Sequence, residues 1–152
     1  MNRLAKLKEL GFELPEPAKP VGAYVPAVQS GKLIFTAGQL PLRDGKLIAA
    51  GKVPTEVPLE LAGQAAAQAC LNALAAVAGL AGSLEAIGRV VRLNCFVNSA
   101  RNFIDQAKVA NPASQLLTQV LGDAGVHTRC AVGVAELPLN APVELDLIVE
   151  VK

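Results

Sequence analysis

The segment from Thr128 to Leu137, TRCAVGVAEL, constrains the fold of this chain more than any other. Small and β-branched residues alternate along it and Pro138 follows it, a pattern that predicts a β-strand. One face of this strand carries Arg129, Ala131, Gly133 and Ala135. Because the neighbours of the arginine are too small to cover it, this face suits close approach by a helix, a second subunit or a ligand. The alternative is an arginine at a strand end that reaches solvent or pairs with a carboxylate.

The last segment, residues 143–151, alternates more strictly, and its polar face begins with Glu144. Were residues 128–151 a simple hairpin, Glu144 would lie roughly seven residues from Arg129, which is more than about 20 Å at about 3.3 Å per residue. The two residues can therefore share a site only if their strands are not hairpin partners or if two subunits contribute. The alternative for Glu144 is a solvated residue on an exposed face.

The other elements give the order β-β-(β)-α-β-α-β-β. Strands are predicted over 22–30, 32–42 and 89–97, with a hairpin turn at Asp44-Gly45. Long helices are predicted over 56–80 and from Asn111-Pro112, with the proline in the first turn. In the first of these, Gln64, Gln68 and Asn72 recur at i+4 and are predicted to mark the solvent side. Two long helices on one face of a mixed sheet make an α+β fold.

Composition narrows the possible functions. The chain has 152 residues, a net charge of +1, 52% hydrophobic and 3% aromatic residues. It has no basic stripe interleaved with aromatics, so its composition argues against nucleic-acid binding. The high fraction of hydrophobic residues favours a subunit interface that buries part of the apolar surface. His127 is the only histidine, which argues against a histidine zinc site and a Ser-His-Asp triad. The three cysteines, Cys70, Cys95 and Cys130, are predicted to be buried free thiols of a reduced compartment.

The N-terminal part is predicted to be an arm, residues 1–21, that precedes a domain over 22–152. A short amphipathic helix over 3–10 would be followed by the proline-rich linker LPEPAKP. The start lacks the apolar region of a signal peptide, and polar residues interrupt the Ala-rich stretch 61–82. We therefore expect a cytoplasmic protein that does not span a membrane. Whether the arm packs on the outside of an assembly or stays loose is left open.

Three segments together resemble the C-terminal signature of the RidA/YjgF family, also called YER057c/UK114. They are Arg129 with the alternating residues after it, Leu137-Pro138, and Val143-Glu144-Leu145. The resemblance extends from about Gly22 to Val151. It implies a chorismate-mutase-like mixed sheet whose last two strands are not simple neighbours. It also implies a homotrimer with clefts between subunits, and a reaction that needs no metal and no cofactor.

The resemblance also implies roles for individual residues. Arg129 would bind a substrate carboxylate as a bidentate fork, and Glu144 would position the attacking water. Tyr24 would line the cleft, and Gly38 matches the glycine of a family motif whose preceding serine is here Ala37. The pattern F-V-(x)5-F matches Phe96 and Phe103, a predicted cleft wall. Ala131 replaces a family cysteine but keeps the backbone N–H.

Three functions are compatible with the sequence. The first is hydrolytic deamination of small reactive enamines and imines, of the 2-aminoacrylate and 2-iminopropanoate type, to a keto acid and ammonia. The second is non-catalytic binding of a small carboxylate or metabolite in the same cleft, with chemistry lost through Ala37. The third, ranked last, is the endoribonuclease L-PSP activity that the family label also covers.

Overall fold

The structure is a computed structural model that describes residues 2–17, 19 and 22–152. The predicted linker is thus described in part, since its residues Ala18 and Pro20 lie outside the described residues, as do Met1 and Val21 of the predicted arm.

The described residues form seven strands: β1 Ala27–Ser30, β2 Leu33–Thr36, β3 Leu42–Arg43, β4 Lys46–Leu47, β5 Ile87–Asn98, β6 Thr128–Val134 and β7 Val143–Val151. Five of them form one mixed sheet in the order β1-β2-β7-β5-β6. All neighbours are antiparallel except β5 and β6, which are parallel. Two further strands, β3 and β4, form a separate hairpin that turns at Asp44 and Gly45, whose φ angles of 53° and 77° suit the predicted Asp-Gly turn.

Two long helices, α2 (Leu59–Ala81) and α3 (Gln106–Leu121), follow β4 and β5 and pack on one face of the sheet. The apolar faces of β5 and β7 meet them in the core. The predicted α+β fold is therefore confirmed, and β5 lies between the last two strands, as the resemblance implied. A short helix, α1 (Arg3–Glu9), precedes the sheet.

Helix α2 is buried on more sides than the sequence predicts. Gln64 is exposed as expected, but Gln68 is only 6% exposed and Asn72 is half-buried. The β3–β4 segment covers them: Arg43 Nε donates to Gln68 Oε1 at 3.1 Å, and Asn72 Nδ2 donates to the carbonyl of Leu42 at 3.0 Å. The predicted solvent side was wrong here because a tertiary contact satisfies these amides.

By length and composition alone, α2 could also cross a membrane, but 78% of its most apolar 18-residue window is buried inside the protein. The helix is therefore used as a core element of this fold. It is the one helix of this kind among the described residues.

Helix α3 begins at Gln106, five residues before the predicted start, and Pro112 lies inside it. The prediction placed the proline in the first turn, where its missing N–H costs nothing. The ring instead packs against α2 at Gly63, where an added methyl carbon would lie 2.9 Å from Pro112 Cγ. Packing between α2 and α3 thus stabilises a proline inside α3, a position that intrinsic helix propensity disfavours.

The described part of the arm is attached to the body of the protein. Leu7 of α1 is fully buried, and Arg3 Nη1 donates to the carbonyls of Leu84 and Ile87, each at 2.7 Å. Asn2 caps the helix by accepting from the N–H of Ala5 at 2.7 Å. Residues 3–10 therefore do not form a loose segment.

The cysteines differ from the prediction at one position. Cys70 and Cys95 are buried, and burial raises the pKa of both thiols, to about 12 for Cys95 despite the nearby charge of Arg129. Cys130 is exposed, so predicting it buried was wrong. It lies on β6, the edge strand, and points to the sheet face that the helices do not cover.

This uncovered outer face is partly apolar. Val28, Phe35 and Val132 on it are 52%, 38% and 42% exposed. A hydrogen bond of 2.8 Å from Asn94 to Asp146 lies between the apolar residues. The face thus offers surface that an assembly could bury.

A buried asparagine at the end of β5 holds two loops together, the segment 48–58 before α2 and the segment 135–142 before β7. The amide nitrogen of Asn98 is shared between Asn140 Oδ1 and the Ala141 carbonyl, each at 3.1 Å, and its Oδ1 accepts from Lys52 Nζ at 2.9 Å. Lys52 also donates to the carbonyl of Ala135. Asn98 therefore fixes the loop before β7.

We predict that Asn98→Ala lowers the free energy of unfolding by about 2–3 kcal/mol, since it leaves several buried groups without partners. The matched control is Asn94→Ala on the same strand, which loses one half-buried bond and should cost less than about 1 kcal/mol. Urea denaturation measures both. Equal losses would contradict the role given to Asn98.

Candidate active site

Glu144 lies where the chain after β2 meets the start of β7. The Gln39 N–H donates to the Leu145 carbonyl at 2.7 Å, and the Leu145 N–H donates back to Gln39 at 3.0 Å. This pair of bonds holds Gly38 beside the Glu144 side chain. A methyl group built on Gly38 would overlap Glu144 Oε1 and lie 3.0 Å from its Cδ. The glycine is therefore required for the carboxylate to lie where it does.

The carboxylate lines a small cleft of about 220 Å³. The lining residues are Lys19, Tyr24, Pro26, Gly38, Gln39, Leu40, Leu42, Pro138 and Glu144. Tyr24 is 64% exposed and stands at the edge. Phe96 is the register partner of Glu144 on β5 and so shares its face. The structure therefore brings together four of the predicted site residues: Tyr24, Gly38, Phe96 and Glu144.

Glu144 is half-buried, and this burial raises the pKa of its carboxyl group above the ordinary value of 4.5, with the charge of Asp146 as the second cause. Among the described residues, no donor is hydrogen-bonded to the Glu144 side chain. A carboxylate with a raised pKa and free lone pairs can take a proton from a bound water.

Arg129 lies on the other face of the sheet, against α3. Its register partner Leu93 is a core residue, whereas Glu144 pairs with Phe96 on the outer face. Phe96 in turn pairs with Val132, three residues beyond Arg129. Within one protomer, Arg129 and Glu144 are therefore separated by two strand spacings across the sheet, which is about 10 Å. They are also separated by three residues along the strand direction, which is again about 10 Å. The prediction that they share a site consequently requires two protomers, and it stays a prediction.

The guanidinium of Arg129 contacts α3 through three hydrogen bonds. Nη1 donates to Asn111 Oδ1 at 2.9 Å and to Ser114 Oγ at 3.2 Å, and Nη2 donates to the Ala107 carbonyl at 3.4 Å. The small residues beside Arg129 were predicted to allow close approach by a helix, a second subunit or a ligand. Within the protomer, helix α3 makes this approach. None of the ion pairs among the described residues involves Arg129.

Ser114 continues this contact to His127. Ser114 Oγ lies 2.9 Å from His127 Nε2, and His127 Nδ1 lies 2.6 Å from the Gly125 carbonyl oxygen. A serine, a histidine and an orienting acceptor thus do occur together, but the acceptor is a backbone carbonyl rather than an aspartate. Sequence reasoning missed this arrangement because Ser114 lies 13 residues from His127. The one available signal was that the single histidine lies two residues before Arg129.

Two of the other predicted site residues, Ala131 and Phe103, lie apart from the Glu144 cleft. Ala131 shares the face of Arg129 and packs against the core, as does Phe103. A wall formed by both Phe96 and Phe103 would therefore require two protomers and stays a prediction. Ala37 precedes Gly38, and its N–H donates to the Pro26 carbonyl at 2.7 Å.

Metal binding was not predicted from sequence. The described residues contain no group of three or more His, Cys, Asp or Glu side chains placed to hold a metal ion.

A family model described as "YjgF/chorismate_mutase-like, putative endoribonuclease" matches residues 4–151. The chain belongs to the YjgF family. The match begins inside α1, so the family model includes most of the N-terminal arm.

Individual YjgF-like proteins are similar over nearly the whole chain. Protein TCP17 of Trypanosoma cruzi is 44% identical over 96% of this chain and 92% of its own length. The 2-iminobutanoate/2-iminopropanoate deaminase of Dermatophagoides farinae is 31% identical over 91% of this chain and 93% of its own. The crystal structure of Atu1372 from Agrobacterium tumefaciens, a protein of unknown function, superposes with a TM-score of 0.93 at 45% identity, covering 99% and 92% of the two chains.

We predict that Gly38→Ala moves the Glu144 carboxylate away from the backbone, because the methyl group and Oε1 cannot occupy the same space. Once more exposed, Glu144 should titrate closer to the ordinary pKa of 4.5. Carbon-13 NMR of the glutamate side-chain carboxyls would follow this change. An unchanged Glu144 titration in a folded Gly38→Ala protein would contradict the close contact.

A second prediction concerns stability and pH. Because folding raises the pKa of Glu144, the group favours the folded state below its unfolded pKa, and that contribution is lost as the pH rises through the folded pKa. Glutamine does not titrate, so the free energy of unfolding of Glu144→Gln should increase relative to that of the parent as the pH rises from 4 to 7. Urea denaturation at both pH values tests this, and a constant difference would contradict the raised pKa.

Proposed function

We propose that the protein is a hydrolytic deaminase of small reactive enamines and imines, of the 2-aminoacrylate and 2-iminopropanoate type. The observation that supports this most is the Glu144 carboxylate, which lies half-buried in a cleft against Gly38 with its pKa raised by burial. The name of the Dermatophagoides farinae relative agrees with this substrate class.

The proposed reaction needs a positioned water and one proton acceptor. The enamine first tautomerises to the imine. The water oxygen then forms a bond to the imine carbon while Glu144 accepts a proton from that water. Return of that proton to nitrogen gives the carbinolamine. Transfer of the carbinolamine hydroxyl proton to nitrogen then lets the C–N bond break, which releases ammonia and leaves the keto acid. Holding water and substrate in this geometry supplies much of the rate enhancement.

Arg129 would bind the substrate carboxylate. A guanidinium has five N–H donors, and α3 uses three of them, so two remain for the two oxygens of a carboxylate. Because Arg129 and Glu144 lie on opposite faces of one sheet, the proposal includes a second protomer that completes the cleft.

We propose a homotrimer in the cytoplasm, the assembly and location expected from sequence. The exposed apolar residues Val28, Phe35 and Val132 support an assembly that buries the outer face of the sheet. Light scattering at micromolar concentration should give the mass of three chains. A monomer would remove the basis for a site between subunits.

A second candidate is a non-catalytic binder of small carboxylates. It is favoured by Ala37, which lacks the hydroxyl group expected next to Gly38. The ribonuclease named in the family description has the least support, because the net charge is only +1.

We predict that Glu144→Gln lowers the turnover of enzymatically generated 2-aminoacrylate by about 10²–10⁴-fold while ligand binding changes little. The amide keeps the shape of the side chain but cannot draw a proton from water. Ammonia release measures turnover, and thermal melts run in parallel identify loss of folding. An unaltered rate in the folded variant would remove the catalytic role, and no turnover in the parent protein would favour the binder.

A further inference from the structure

The direction of each hydrogen bond around Ser114 follows from its partners. The Gly125 carbonyl can only accept, so His127 Nδ1 carries the hydrogen in the 2.6 Å bond. In the neutral ring Nε2 is then an acceptor, and it takes the hydroxyl hydrogen of Ser114 at 2.9 Å. The guanidinium can only donate, so Ser114 Oγ accepts from Arg129 Nη1 at 3.2 Å. The sequence of donation therefore runs from Arg129 to Ser114 to His127 to Gly125.

His127 determines which way the Ser114 hydroxyl points in this hydrogen-bond chain. A helical serine or threonine commonly donates to a carbonyl of the preceding turn, as Thr118 does to the carbonyls of Ser114 and Gln115, at 3.3 and 3.0 Å. With its hydrogen held by His127 Nε2, Ser114 instead directs its lone pairs towards Arg129.

The groups that hold Arg129 are all uncharged. They are an amide oxygen, a hydroxyl and a backbone carbonyl, from Asn111, Ser114 and Ala107. A carboxylate in their place would hold the guanidinium as firmly but would neutralise its charge and compete with an anionic ligand. Neutral acceptors fix the group and leave its positive charge available.

We propose that Ser114 and His127 are positioning residues, which orient Arg129 so that its Nε–H and one Nη2–H remain for a substrate carboxylate. This inference rests on the proposed function, in which Arg129 binds the carboxylate. Both Nη1 hydrogens and one Nη2 hydrogen are used within the protomer, which determines the edge of the guanidinium that meets the ligand.

The first test is NMR of the Arg129 guanidinium, whose signals are identified by their loss in Arg129→Lys. In the parent protein, hindered rotation should give separate N–H signals. Ser114→Ala should average them, whereas Ser114→Thr, which keeps the hydroxyl, should preserve them. The matched control is Thr118→Val, which removes a hydroxyl one turn along α3 that does not contact Arg129.

The second test is calorimetric titration with 2-oxobutanoate. Ser114→Ala should weaken binding roughly three- to tenfold, the size of the net contribution of one ordinary hydrogen bond, because Ser114 acts on the ligand only through Arg129. His127→Ala, which leaves Ser114 in place, should weaken it in the same direction and serves if Ser114→Ala does not fold. Thr118→Val should bind like the parent. Added to Arg129→Lys, Ser114→Ala should have no further effect if it acts through the guanidinium.

The outcomes separate this inference from the proposed function. If Arg129→Lys weakens binding but Ser114→Ala and His127→Ala match Thr118→Val, the positioning role is overturned and the carboxylate role of Arg129 stands. Unchanged guanidinium signals in Ser114→Ala overturn it as well. If Arg129→Lys binds as tightly as the parent, the carboxylate role fails, and the positioning role fails with it.

Discussion

Strand β5 pairs with β7 on one side and with β6 on the other, and this double pairing determines where the candidate functional groups can lie. The antiparallel pairing opposes Phe96 to Glu144, and the parallel pairing opposes Leu93 to Arg129. Because these β5 residues are an odd number apart, the two charged side chains point to opposite faces. A single copy of the chain therefore presents the carboxylate and the guanidinium in two different directions.

Small residues allow close contacts at the Glu144 carboxylate, between the two long helices and beside β6. Gly38 lets the Glu144 carboxylate lie against the backbone, and Gly63 lets Pro112 approach α2. On the face of Arg129, an added methyl at Gly133 would lie 2.8 Å from both Ser99 Oγ and Gln106 Nε2. The low aromatic content and abundance of alanine and glycine thus correspond to a closely packed interior.

The elements that sequence predicted well are those whose pattern is local. Strict alternation gave the bounds of β7 as the structure has them, and the faces of β6 follow the predicted alternation. The errors arose where tertiary contacts decide. Gln68 is at a helical position typical of solvent exposure, yet the β3–β4 segment covers it. Pro112 suggested a helix start, but packing at Gly63 accommodates it inside α3. At the site, the three residues Tyr24, Gly38 and Glu144, which motif resemblance singled out, line one cleft, and their functional roles stay predictions. The contact of Ser114 with His127 joins residues that no local pattern links.

The proposed active site combines Arg129 of one protomer with Glu144 of another. It is tested most directly by mixing Arg129→Ala and Glu144→Gln chains under conditions that exchange subunits, then measuring imine hydrolysis. With equal amounts and random assembly, about a quarter of the sites would combine an intact Arg129 with an intact Glu144, so about a quarter of the parent activity should return. A mixture no more active than the two separate variants would contradict a site shared between protomers.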